Sequence, residues 1–159
     1  MNFVQTQVSL DEIYCGWMKR IAEKGHRNLI KMKKVGIVAC SDAQKEEYRK
    51  QNEELVVFLE SIGITPVISS CIYEKDEGPF SGSPKEKAGE LMRMFADPDI
   101  DEIYDISGGD VANQILDDLD YEKIGKSKAV LWGYSDLTTV INAIYAMTGK
   151  ASVLYQVKY

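Results

Sequence analysis

The chain has 159 residues, 19 basic and 25 acidic side chains, a net charge of −6 and a pI near 4.9. That length predicts one compact unit able to bury about two-thirds of its unfolded surface without staples. A 45% hydrophobic and 28% charged composition excludes wholesale disorder and collagen-like repeats, and the acidic balance argues against a nucleic-acid partner.

The first 33 residues read as a separate segment. The residues Ser9-Leu10-Asp11-Glu12 form a capping-box pattern. Leu10, Ile13, Tyr14, Trp17, Ile21 and Ala22 then recur near helical spacing, and Gly25 is a stop. An amphipathic N-terminal helix is expected, followed by a basic connector through His26-Arg27 and 31–34. The start of the chain lacks the basic-then-apolar order of a signal peptide, and no apolar run approaches the ~20 residues of a membrane span. A cytoplasmic protein with no membrane partner is therefore expected.

From residue 34 strands and helices alternate. Strands are predicted over 35–40, 65–70, 101–106, 128–132 and 151–157, with helices over 44–61, 84–96, 111–119 and 136–147. The third of those strands is broken by Ser107-Gly108-Gly109-Asp110, and a loop spans 74–82. Ser83-Pro84-Lys85-Glu86 starts its helix with three agreeing signals: a serine cap, a proline in the first turn, and a glutamate that closes the box. Asp97-Pro98 stops that helix and Gly149 the last one. Strands separated by helices imply a parallel sheet covered on both faces.

In such a sheet ligands gather beyond the carboxyl ends of the strands. Cys40-Ser41-Asp42, Ser107 to Asp110 and Gly133-Tyr134-Ser135-Asp136 all fall there. Apolar strand, Gly-Tyr-Ser-Asp and helix is the order of a nucleophile elbow, which exposes a serine oxygen on a tight turn. The N–H of Asp136 at the helix start, with a backbone N–H from Gly108-Gly109, would then stabilise an oxyanion. On spacing alone Ser135 reads more readily as the N-cap of its helix. Cys40 invites a thiol-nucleophile reading, against which stands a small residue ending a buried strand. Asp42, Asp105, Asp110 and Asp136 near strand ends could hold a divalent metal, against which stand capping and solvation. Three cysteines (Cys15, Cys40 and Cys71) without CxxC spacing give neither a disulfide framework nor a zinc site.

Two stretches, MRMFADPDIDEIYDISGGDVANQILDDL over 92–119 and WGYSDLTTVINAIYAMTGK over 132–150, resemble the N-terminal half of the LD-carboxypeptidase family. This is serine peptidase family S66, which includes the microcin C self-immunity peptidases. The resemblance runs from residue 35 to the end of the chain. It implies a flavodoxin-like, doubly wound, three-layer α/β domain over 34–159, with the extra N-terminal helix over 1–33. It also implies amide hydrolysis next to a carboxyl terminus, on murein tetrapeptides or peptidyl-nucleotides, by a Ser-Glu-His triad. Ser135 matches the nucleophile, and Gly108, Gly109 and the Asp136 N–H match the oxyanion hole, with no metal and no cofactor. Many members carry arginine before the Gly-Gly pair, where this chain has Ser107, as in the immunity branch.

The family's glutamate and histidine belong to a second domain that these 159 residues do not match. His26, the one histidine, falls outside the matching region. The expectation is a nucleophile-bearing domain that is inactive alone. The alternative is a non-catalytic binding or self-assembly module derived from it, with a homodimer left open. A phosphate-binding receiver-like domain ranks last, because no Gly-x-x-x-x-Gly-Lys loop is present.

Overall fold

A computed structural model describes residues 34–75 and 80–155; the expected N-terminal helix, the basic connector and His26 lie outside the described residues. Five strands alternate with helical segments: β1 (Lys34–Val38), α1 (Arg49–Ser61), β2 (Thr65–Ile68), α2 (Pro84–Ala96), β3 (Ile100–Asp105), α3 (Tyr121–Lys126), β4 (Val130–Gly133), α4 (Thr138–Thr148) and β5 (Val153–Leu154). Short 3₁₀ turns at Glu46–Tyr48 and Ser135–Leu137 lead into α1 and α4, and a longer one spans Ala112–Asp118.

The sheet runs β2-β1-β3-β4-β5 and every neighbouring pair is parallel. This is the flavodoxin-like order, in which the chain reverses its winding between β1 and β3 and opens a crevice there. Strand β1, flanked by β2 and β3, is buried on both faces. A Cβ on Gly36 would sit 3.1 Å from the Met94 side chain of α2. Val35 and Ile37 point the other way by strand alternation and are buried too, on the side where α1 packs against β2. The main apolar core joins Ile103 and Leu131 of the sheet to Leu91 and Met94 of α2 and to Val140 and Ile144 of α4. Helices therefore cover both faces, as the alternating pattern requires.

α2 begins as its sequence dictates. The Glu86 N–H donates to Ser83 Oγ at 3.3 Å, and the Glu86 carboxylate accepts from the Ser83 N–H at 2.7 Å. That second bond, with one from the Ser83 hydroxyl at 2.8 Å, holds the Glu86 carboxyl below its ordinary range. At one rim, β2 carries Pro66, which has no N–H to donate and is tolerated on an edge strand.

Several elements differ from expectation, each for a local reason. β1 stops at Val38 rather than at 40, because the Cys40 N–H turns to the Asp105 carboxylate at 2.8 Å instead of the ladder. The helix expected from 44 starts later. Gln44 is drawn into a parallel bridge with Tyr73, and its N–H donates to the Ile72 carbonyl at 2.7 Å. The helix expected over 111–119 is instead a 3₁₀ segment over Ala112–Asp118, whose leading N–H, from Ala112, is held by the Asp136 carboxylate at 2.9 Å. Helix α3 went unanticipated. It buries Ile124 alone, and its one sequence signal is Asp120, whose carboxylate caps the Lys123 N–H at 3.0 Å. Of the last expected strand, Val153–Leu154 is paired.

Candidate active site

Parallel pairing brings the carboxyl ends of β1, β3 and β4 to one edge, and the three loops singled out by sequence meet there. β4 ends at Gly133, whose carbonyl accepts from the Tyr155 N–H at 2.8 Å. The chain then reverses sharply. A Cβ on Gly133 would fall 1.8 Å from Leu137 Cδ2, so the turn closes only around glycine. Ser135 has φ 59°, the one positive φ of a non-glycine residue among the described residues. A left-handed conformation costs an L-residue roughly 1–2 kcal/mol, which the surrounding turn must offset.

That geometry separates the two readings of Ser135. A capping serine is extended and turns its oxygen onto its own helix, as Ser83 does at φ −64°. At the second site Tyr134 holds the flanking position, and no side chain caps the turn. Ser135 is exposed, and its carbonyl accepts from Thr138 Oγ1 at 2.8 Å. The N-cap reading therefore fails, and the residue has the backbone of an elbow.

The Gly108-Gly109 loop lies beside it. A Cβ on Gly108 would approach Ser135 Cβ to 3.9 Å. Gly109 has φ 145°, and a Cβ there would strike the Asp42 carboxylate at 2.3 Å, so this backbone is shaped by glycine. Asp136 sits in the first turn after Ser135, where backbone N–H groups have no intrahelical acceptor. Its side chain reaches inward: Oδ2 accepts from Ser41 Oγ at 2.5 Å and from the Ala112 N–H at 2.9 Å.

Beneath the loops lies a buried polar layer. Asp105 accepts from the Cys40 N–H at 2.8 Å, and from the Ser107 N–H and hydroxyl at 2.7 and 2.6 Å. Burial pushes its carboxyl up, and those hydrogen bonds oppose the shift. Cys40 is fully buried, and burial together with the adjacent Asp105 carboxylate pushes its thiol well above the ordinary range. A thiol held neutral is a core residue rather than a nucleophile. The four aspartates do not converge either: Asp105 and Asp136 are bonded within the loops, Asp42 lies against Gly109, and Asp110 is exposed. Among the described residues no group of three or more His, Cys, Asp or Glu side chains could hold a metal ion.

Sequence reasoning missed two residues here. Lys87 is 2% exposed, and its ammonium donates to the Ser41 carbonyl at 2.6 Å. Its signal was present: residues 87, 91 and 94 share the inward stripe of α2, and a charge on such a stripe needs a buried partner. Ser41 offers no comparable signal, being one small polar residue after a strand.

Residues 35–155 match the LD-carboxypeptidase N-terminal domain, Peptidase_S66. The chain belongs to this family. It is 40% identical over 91 residues to YocD of Bacillus subtilis (strain 168), covering 57% of this chain and 28% of that protein. It is 37% identical over 94 residues to the microcin C7 self-immunity protein MccF of Escherichia coli, covering 59% of this chain and 27% of that one. A solved structure of MccF in complex with glutamyl sulfamoyl guanosine superposes with a TM-score of 0.64 at 30% identity, over 75% of this chain and 35% of that chain. The chain thus spans under a third of the length of these two curated relatives. Among the described residues no helix is long and apolar enough to cross a membrane.

Proposed function

We propose that these residues form the nucleophile-bearing domain of a serine carboxypeptidase, with Ser135 as nucleophile and an oxyanion hole made by the Asp136 N–H and the Gly108-Gly109 backbone. The observation that carries this is the left-handed backbone of an exposed serine between β4 and α4, facing a double-glycine loop. Strain of this kind persists where function requires the side chain to be presented. In the reaction, Ser135 Oγ bonds to the carbonyl carbon of an amide next to a carboxyl terminus, and the carbonyl π pair moves onto oxygen, toward the donors. The hydroxyl proton passes to a base. Collapse breaks the C–N bond, the amine leaves protonated, and water releases the acyl group by the same route.

The base is the difficulty. No histidine lies among the described residues, and His26 is the chain's only one. The family resemblance assigns the glutamate and histidine of the triad to a second domain, so the 159-residue chain alone is proposed to hydrolyse amides negligibly. The substrate proposed is a murein peptide or a peptidyl-nucleotide; the sulfamoyl nucleoside bound to the relative MccF supports the second.

Labelling with a fluorophosphonate tests this. The reagent should attach to Ser135 slowly, at a rate rising steadily with pH, and Ser135→Ala should abolish the adduct. A rate that levels off above pH ~6.5 and loses that profile in His26→Ala would instead place a working imidazole in this chain. Labelling that survives Ser135→Ala would sink the nucleophile assignment.

A further inference from the structure

Ser41 is fully buried, yet every polar atom it has is engaged across a different loop. Its N–H donates to Ser107 Oγ at 3.0 Å and its carbonyl accepts from Lys87 Nζ at 2.6 Å. Its hydroxyl donates to Asp136 Oδ2 at 2.5 Å and accepts from the Val111 N–H at 3.4 Å. These bonds run from the loop after β1 to the loop after β3, to the turn after β4, and to the first turn of α2. Separations in sequence of 66, 95, 46 and 70 residues make each of them a tertiary tie rather than a local turn.

The ties converge on the two halves of the proposed oxyanion hole. Asp136 follows Ser135 directly, and its carboxylate is shared between Ser41 and the Ala112 N–H. Val111 and Ala112 close the far end of the Gly108-Gly109 loop, while Ser107, held by Ser41 and by Asp105, closes the near end. A double-glycine loop has little preference of its own for one backbone path. Its position relative to Ser135 is therefore fixed from outside at both ends, by one hydroxyl and one backbone amide of Ser41 together with Asp105 on Ser107 and Asp136 on Ala112. Lys87 in turn anchors Ser41: a buried ammonium bonded to its carbonyl leaves the loop after β1 no low-cost alternative position.

We infer that Ser41 is a positioning residue for the oxyanion hole, setting the Gly108-Gly109 backbone against Ser135 through Asp136, with Lys87 as its anchor. This rests on the nucleophile reading above for its catalytic meaning, though not for its geometry.

The experiment compares wild type, Ser41→Ala, Ser41→Thr and the distant core variant Leu59→Ala. Two readouts are taken on the 159-residue chain: the rate of fluorophosphonate attachment at Ser135, and amide hydrogen exchange by NMR. Ser41→Ala should slow attachment by about tenfold or more, since misplacing one oxyanion donor weakens the developing charge's partners. It should also speed exchange at Val111 and Ala112 by about tenfold, the loss expected for one hydrogen bond, while Ile103 and Leu131 stay protected. Ser41→Thr, which keeps the hydroxyl, should recover most of the rate. Leu59→Ala should lower the melting temperature at least as much and leave attachment at the wild-type rate.

Attachment in Ser41→Ala at the wild-type rate, or equal slowing in Leu59→Ala, overturns the positioning role. If wild type takes up no label at Ser135, the peptidase reading fails by itself. The exchange result then judges the loop geometry: unchanged protection at Val111 and Ala112 refutes the tie, and selective loss there upholds it.

Discussion

Two helices of this chain begin beside a serine, and the two serines are used in opposite ways. At α2, Ser83 is extended, and its oxygen is bonded within the first turn it opens. At the turn into α4, Ser135 has a left-handed backbone, its side chain is exposed, and no side chain caps the helix. What separates them lies in the flanking residues. Ser83 is followed by proline and by a glutamate three residues on, which complete a local cap. Ser135 is preceded by Gly133, whose missing side chain lets Leu137 fold back over it. One arrangement stabilises a helix start; the other accepts strain to present an oxygen.

The contrast can be broken by substitution. The largest effect is expected from Gly133→Ala, because the new methyl overlaps Leu137 in a packed turn; a loss of about 3 kcal/mol should appear in chemical denaturation. A loss near zero would mean that the turn is loose and the elbow unforced. Next comes Ser83→Ala, which should cost about 1 kcal/mol through the lost cap and leave labelling of Ser135 unchanged. If labelling slowed as well, the two helix starts would be coupled rather than independent.

Ser135→Gly should raise stability slightly, by about 0.5 kcal/mol, as relief of the left-handed strain outweighs the added freedom of the unfolded chain. A destabilised Ser135→Gly variant would show that the conformation carries no strain.

The smallest effect concerns pH. Glu86 has its carboxyl held below the ordinary 4.5 by bonds from the Ser83 N–H and hydroxyl. A depressed carboxyl contributes stability that is present above its unfolded value and is lost as pH falls through the folded one. The difference in melting temperature between wild type and Ser83→Ala should therefore narrow as pH drops below 4.5, and a constant gap would remove Glu86 from the cap.

How much of this was legible in the sequence follows the same division. Local features could be read directly: the capping box at Ser83, the Asp97-Pro98 stop, the Gly149 stop of α4, and the alternation that gives the sheet. The elbow was legible as a pattern but not as a conformation, because Gly-x-Ser before a helix reads more readily as a cap than as an elbow until φ is known. Lys87 left a trace as a charge on an inward-facing stripe, but its partner did not, and Ser41 was out of reach, since their ties run to residues far along the chain. The start of α1 shows the same limit: Gln44 follows its bridge to Tyr73, a partner that helical periodicity cannot reveal.

The sheet's outer rims carry a consequence of their own. Any open β-structure offers its unpaired backbone to a neighbour and so invites stacking into fibres. Here one rim is the short β2, interrupted by Pro66, which cannot donate along its full length. Among the described residues the other is β5, where Val153–Leu154 is paired, too brief to template an added strand. Both described rims thus resist backbone-to-backbone stacking, and Pro66→Val should make the chain more prone to fibrillise on heating.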